Sequence, residues 1–150
     1  MHLSPEQLDD LLRKGIEAAE KGYIHSAQIF LGQVAEERKT PEVMSYLAYC
    51  QAKGQGRMHS AAKICRDSIK REPQNPTHYL VLGRILLLTS DKARAIEAFR
   101  QGLTAGSDER IAAELKKLGL RRPPVIKSLK RNHPLNRWLG KCLSFFGLRG

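Results

Sequence analysis

Apolar and small residues recur along the chain with a 34-residue period. Ala27, Ala61 and Ala95 stand 34 apart, and the same interval separates Leu31, Cys65 and Phe99, then Ala35, Ile69 and Leu103. Gly22, Gly56 and Ser90 precede the three alanines by five residues. Positions 0, +4 and +8 of each unit fall on one helical face, the alanine permits close approach of a preceding helix, and the small residue ahead marks a turn. The pattern predicts a helical hairpin repeated three times.

The first helix of each hairpin is announced by its start. Ser4-Pro5, Thr40-Pro41 and Asn75-Pro76 each place a capping side chain before a proline at the first helical position. Ser4 with Gln7 also makes a capping box. After Ser107, read as a cap, Ile111, Ala112, Leu115 and Leu118 form one apolar stripe that stops at Gly119. That is the pattern of an extra helix covering the open end of a repeat array.

The third unit reads Tyr79-x-x-Leu82-Gly83-x-x-Leu86, then Ala95-x-x-x-Phe99. It resembles the tetratricopeptide repeat, whose pattern is Trp-x-x-Leu-Gly-x-x-Tyr followed by Ala-x-x-x-Phe. The first unit keeps Leu11, Gly15, Ala18, Ala27 and Leu31 at matching places but has Lys14 where the family usually has leucine. In the second unit Pro41 precedes Ala61 by 20 residues, whereas Pro76 precedes Ala95 by 19. One extra residue is therefore expected in the turn Lys53-Gly54-Gln55-Gly56, which brings Met44, Leu47, Ala48 and Gln51 into the first-helix pattern. Without it, the ring of Tyr49 would fall where the repeat needs glycine or alanine.

The resemblance implies an all-α, right-handed helical-hairpin solenoid. About three repeats are expected at 4–38, 40–73 and 75–106, with a capping helix at 107–119. Residues 120–134 are expected to be a basic, proline-containing connector, and 135–147 an amphipathic C-terminal helix. The connector carries Arg121, Arg122, Lys127, Lys130 and Arg131. In the last segment Leu135, Trp138, Leu139, Cys142, Leu143 and Phe146 share one helical face, with Arg137 and Lys141 off it.

Charge sharpens this division. The net charge of +11 is uneven: residues 1–114 hold 16 basic and 15 acidic residues, and 115–150 hold ten basic and no acidic residues. A charge-balanced body with a polycationic tail points to an anionic partner for the tail, such as an anionic membrane surface or, less favoured, nucleic acid; the amphipathic segment at 135–147 is read first as folding back on its own repeats, with a partner protein or an anionic membrane as the alternatives. The tail's aromatics cluster on one apolar face and do not alternate with cations as base-stacking platforms would.

Candidate chemistry is sparse. The histidines at 2, 25, 59, 78 and 133 match no metal-ligand spacing, and neither a nucleophile-elbow motif nor a phosphate-binding loop is present. His78, near the helix start at Asn75, is read as a surface residue. Cys50, Cys65 and Cys142 form no Cys-x-x-Cys pair, and the first two fall in apolar helical patterns where a thiol stays protonated. No enzyme activity, metal, cofactor or small-molecule substrate is expected. The opening residues lack a signal-peptide pattern, so a cytoplasmic protein, peripheral to membranes at most, is expected.

Tetratricopeptide repeats bind peptides or helices in the groove formed by their first helices, and the resemblance implies that role here: a non-enzymatic adaptor for a protein or peptide partner. In the repeat phase, Leu12, Ile16, Met44, Ala48, Leu80, Arg84 and Leu87 are expected on or near that groove, an apolar floor with one embedded cation. Chaperone-binding members clamp a terminal carboxylate with lysines and asparagines. The comparable places here are apolar, which disfavours that function.

Overall fold

The computed structural model describes residues 2–119, which form seven α-helices and, among the described residues, no strand. They are α1 (Pro5–Glu20), α2 (Ile24–Glu37), α3 (Pro41–Gln55), α4 (Met58–Arg71), α5 (Pro76–Leu88), α6 (Lys92–Ala105) and α7 (Glu109–Lys117). The connector expected at 120–134 and the helix expected at 135–147 lie outside the described residues.

The first helices start as their sequences dictate. Ser4 Oγ accepts from Gln7 N at 3.2 Å while Gln7 Oε1 accepts from Ser4 N at 2.9 Å, closing the capping box. Thr40 Oγ1 accepts from Val43 N at 3.3 Å and Asn75 Oδ1 from Thr77 N at 3.0 Å. Each of these caps is followed by proline, whose missing N–H would have had no helical partner in any case.

The hairpin turns use a left-handed residue at the expected small position: Gly22 at φ +83°, Gly56 at +70° and Ser90 at +60°. Their hydrogen bonds also locate the extra residue of the second unit. Tyr23 N donates to Ala18 O and Asp91 N to Leu86 O, each spanning five residues, whereas the equivalent Arg57 N donates to Gln51 O, spanning six. The addition therefore sits in the last turn of α3. It shifts that helix by one residue, so that Ala48, not Tyr49, matches Gly15 and Gly83.

Consecutive helices pack as antiparallel neighbours, and α3 also lies broadly against α5, while α1 approaches α3 only narrowly. The repeat columns form the core: Ala27, Ala61, Ala95, Leu31, Cys65 and Phe99 are all fully buried. One continuous cluster extends through the hairpins to Ile111 and Leu115 of α7, with a satellite of Val34, Ala35 and Val43 beneath Leu11, Leu12 and Leu47. Neighbouring units bury each other's apolar faces, as single hairpins cannot.

Two readings of the sequence are corrected. His78 is not a surface residue but fully buried, with Nδ1 2.8 Å from Ser45 Oγ and Nε2 2.7 Å from Glu72 Oε1. The reason is that α5 is flanked by α3, α4 and α6, so that even its first turn is interior. The cap of α7 is Asp108, not Ser107: its carboxylate accepts from Arg110 N at 2.9 Å and also holds the Arg110 guanidinium.

Candidate binding groove

The inner face of the array is set by a stripe along α1. Asp9, Leu12, Arg13, Ile16, Glu17 and Glu20 follow one another at helical spacings of three and one, so they lie in a single band down the helix. Leu12 and Ile16 interrupt the charges and pack their inner sides on the main core. They form the apolar lining of an open hollow of about 500 Å³, edged by Asp9, Arg13 and Glu17. A second hollow, of about 340 Å³, shares Asp9 and Leu12 and continues past Arg38, Thr40, Glu42, Glu72 and Asn75 at the entrances of α3 and α5.

At the other end of the stripe Glu20 stands in a cluster of charged and polar side chains. Glu20 Oε1 accepts from Arg84 Nη1 at 2.8 Å, from Tyr46 Oη at 3.0 Å and from Arg110 Nη1 at 3.4 Å. Arg84 Nε donates to Glu114 Oε1 at 2.9 Å, and Arg110 donates to Tyr46 Oη at 2.6 Å, Thr77 Oγ1 at 3.1 Å and Asp108 Oδ2 at 2.8 Å. Four helices that are far apart in sequence, α1, α3, α5 and α7, are thus joined through one set of side chains.

The electrostatics follow from that arrangement. Burial disfavours the charge on Glu20, but the bond and charge of Arg84, the Tyr46 hydroxyl and Arg110 outweigh it and hold its carboxyl below the usual range. Asp108 is likewise depressed, partial burial being overcome by Arg110 and two backbone N–H groups. Burial raises the Tyr46 phenol, and the Glu20 charge adds to it, so Tyr46 stays a neutral donor. Arg84 keeps its proton despite burial because of Glu20 and Glu114.

The residues expected at the groove divide accordingly. Leu12 and Ile16 line the hollow on α1; Met44 and Leu87 are half-buried; Ala48 and Leu80 are buried in the core. Arg84 is on the inner face, yet it is paired at both ends and is not a free cation. The basic residues Arg121, Arg122, Lys127, Lys130 and Arg131, and the apolar face Leu135, Trp138, Leu139, Cys142, Leu143 and Phe146, lie outside the described residues. Glu20, Tyr46, Arg110 and Glu114 were not foreseen. Glu20 had a signal, since it continues the Leu12–Ile16 spacing by one more turn; the others depend on how α3, α5 and α7 converge.

Among the described residues no group of three His, Cys, Asp or Glu side chains is placed to hold a metal ion, and no helix is long and apolar enough to cross a membrane. Burial pushes the Cys50 thiol up to about 11 and the Cys65 thiol up to about 12, so neither is a ready nucleophile near neutral pH.

No protein-family model matches the chain, and no curated protein sequence matches it. Among solved structures it is similar to the Sgt2 TPR domain from Aspergillus fumigatus, at 20% sequence identity over 89% of this chain and 95% of that one, with a TM-score of 0.54. The fold is that of tetratricopeptide repeats, three helical hairpins with a seventh helix packed on the last.

Proposed function

We propose that this chain, with its tetratricopeptide fold, is a non-catalytic protein-interaction module that takes an apolar, helix-forming segment of a partner protein onto its inner face. The observation that carries the reading is the open hollow on α1, where Leu12 and Ile16 lie between charged side chains in a band that matches one face of a helix. An apolar strip with a charged edge suits an amphipathic helix, which buries its stripe there and keeps its polar flanks in water. It suits an isolated carboxylate poorly, because the inner-face arginines Arg84 and Arg110 already hold carboxylates of their own. The membrane and nucleic-acid alternatives rest on the basic tail and draw no support from the described residues.

A photo-crosslinking amino acid replacing Arg13, exposed beside the hollow, tests the reading in cells. Discrete adducts with another protein are expected from position 13, lost when Ile16→Asp is added, and absent when the crosslinker replaces the exposed Lys63 on α4. Adducts that form equally from position 63 and ignore Ile16→Asp would overturn it.

A further inference from the structure

The rim of the groove is acidic and the tail of the same chain is basic. Around the two hollows stand the carboxylates of Asp9, Glu17, Glu42 and Glu72 against the guanidinium groups of Arg13 and Arg38. Both guanidinium groups are engaged, Arg13 with Asp10 and Glu17 and Arg38 with Asp9 at 2.6 Å, and Lys21 also holds Glu17 at 2.6 Å, so the rim's excess of negative charge rests on Glu42 and Glu72. Every acidic residue of the chain lies within 1–114, and the segment whose apolar face runs from Leu135 to Phe146 carries only cations.

Dimensions agree as well. A helix over 135–147 would be about 20 Å long, and the α1 stripe from Asp9 to Glu20 runs about 17 Å. The intervening residues 120–134 can span up to about 50 Å when extended. Helix α7, from which they depart, is only about 14 Å long, and its first turn already touches the end of the stripe through Arg110 and Glu20. A tether of that length holds the segment near the groove at roughly millimolar effective concentration.

We propose that residues 135–147 dock as an amphipathic helix on the inner stripe of α1, their apolar face over Leu12 and Ile16 and the cations Arg137 and Lys141 toward the acidic rim. The chain's own C-terminal segment then occupies the groove, and a partner helix binds by displacing it. This rests on the reading of the inner face as a helix-binding groove, and it names the first occupant.

Trp138 is the only tryptophan, so its fluorescence in the full-length protein reports on this segment alone. A blue-shifted emission, poorly quenched by acrylamide and unchanged on dilution, is expected. Leu12→Asp with Ile16→Asp should move it to the emission of a water-exposed indole. Because those side chains also touch the core, Asp9→Lys with Glu17→Lys, confined to the exposed rim, should weaken docking in the same direction while circular dichroism shows the repeats intact. Water-like emission in the unaltered protein would overturn the proposal. So would a buried indole indifferent to both double variants, which means docking elsewhere, or burial lost on dilution, which means a second copy. Exposed Trp138 with persistent partner crosslinks from position 13 would sink self-docking alone. Buried Trp138 released by the groove variants, without any partner crosslink, would uphold self-docking and remove the partner reading.

Discussion

Gly83 and Gly32 are both helical glycines, but their surroundings give opposite predictions. A Cβ on Gly83 would stand 2.2 Å from Phe99 Cε1, a contact between two rigid, buried helices that can be relieved only by moving one of them. Gly83→Ala is expected to destabilise the fold by about 1–3 kcal/mol. Gly32, within α2, has nothing within 4 Å of the same site, so Gly32→Ala removes unfolded-chain entropy without a clash and should stabilise by about 0.5–1 kcal/mol. Urea midpoints of the two variants should shift in opposite directions. The 34-residue repeat pattern singles out Gly83, in Leu82-Gly83, and says nothing of Gly32. His78 is a case where local sequence misleads at this scale. Its place near a proline and a polar cap suggests exposure, but the packing of α3 and α4 on α5 buries it between Ser45 and Glu72.

The helices are where sequence spacing carries furthest, since caps and turns are made by side chains within a few residues of one another. All three caps read before a proline form as expected, and the extra residue of the second unit appears as the six-residue span from Arg57 N to Gln51 O. The exception is α7, where Ser107 and Asp108 compete for the same role. Asp108 takes it because its carboxylate satisfies both the helix start and the guanidinium of Arg110, whereas a hydroxyl at 107 is one residue too early. Asp108→Ala is therefore expected to cost about 0.5–2 kcal/mol, and Ser107→Ala no more than a few tenths. Amide exchange over 109–117 distinguishes them: it should accelerate in the first variant and stay near the unaltered rate in the second. Equal effects would mean that the cap is shared.

Across the whole molecule the same acidic side chain that ends the α1 stripe ties the array together. Glu20 joins α1 to α3, α5 and α7, so Glu20→Gln should loosen the contact of the first hairpin with the last helix and destabilise by about 1–3 kcal/mol near neutral pH. The folded carboxyl titrates below its ordinary value of 4.5, so its contribution is complete above that value and is lost as pH falls through the depressed folded one. Stability of the unaltered protein should accordingly drop as pH falls below about 4.5 and through the depressed folded value, and Glu20→Gln should flatten that slope. Asp108, also depressed, acts in the same direction and will leave part of the slope in place. Chemical denaturation across this pH range checks both points; identical slopes for the two proteins would refute the role given to Glu20.

The sequence by itself determined the all-helical repeat architecture, the three helix starts marked by proline and the turn positions. These features depend on periodicity and on interactions within one hairpin, which a single chain displays in order. Leu12 and Ile16 share one stripe of α1, a local property of that helix, and both line the open hollow there. Tertiary structure alone decided that Ala48 and Leu80 are buried in the core, that Arg84 is neutralised by Glu20 and Glu114, and that His78 is interior. Arg84 meets Glu20 and Glu114, and His78 meets Ser45, across 30 to 64 residues of sequence, brought together by helix packing. Distance in sequence gives no sign of such meetings until the helices have chosen their neighbours.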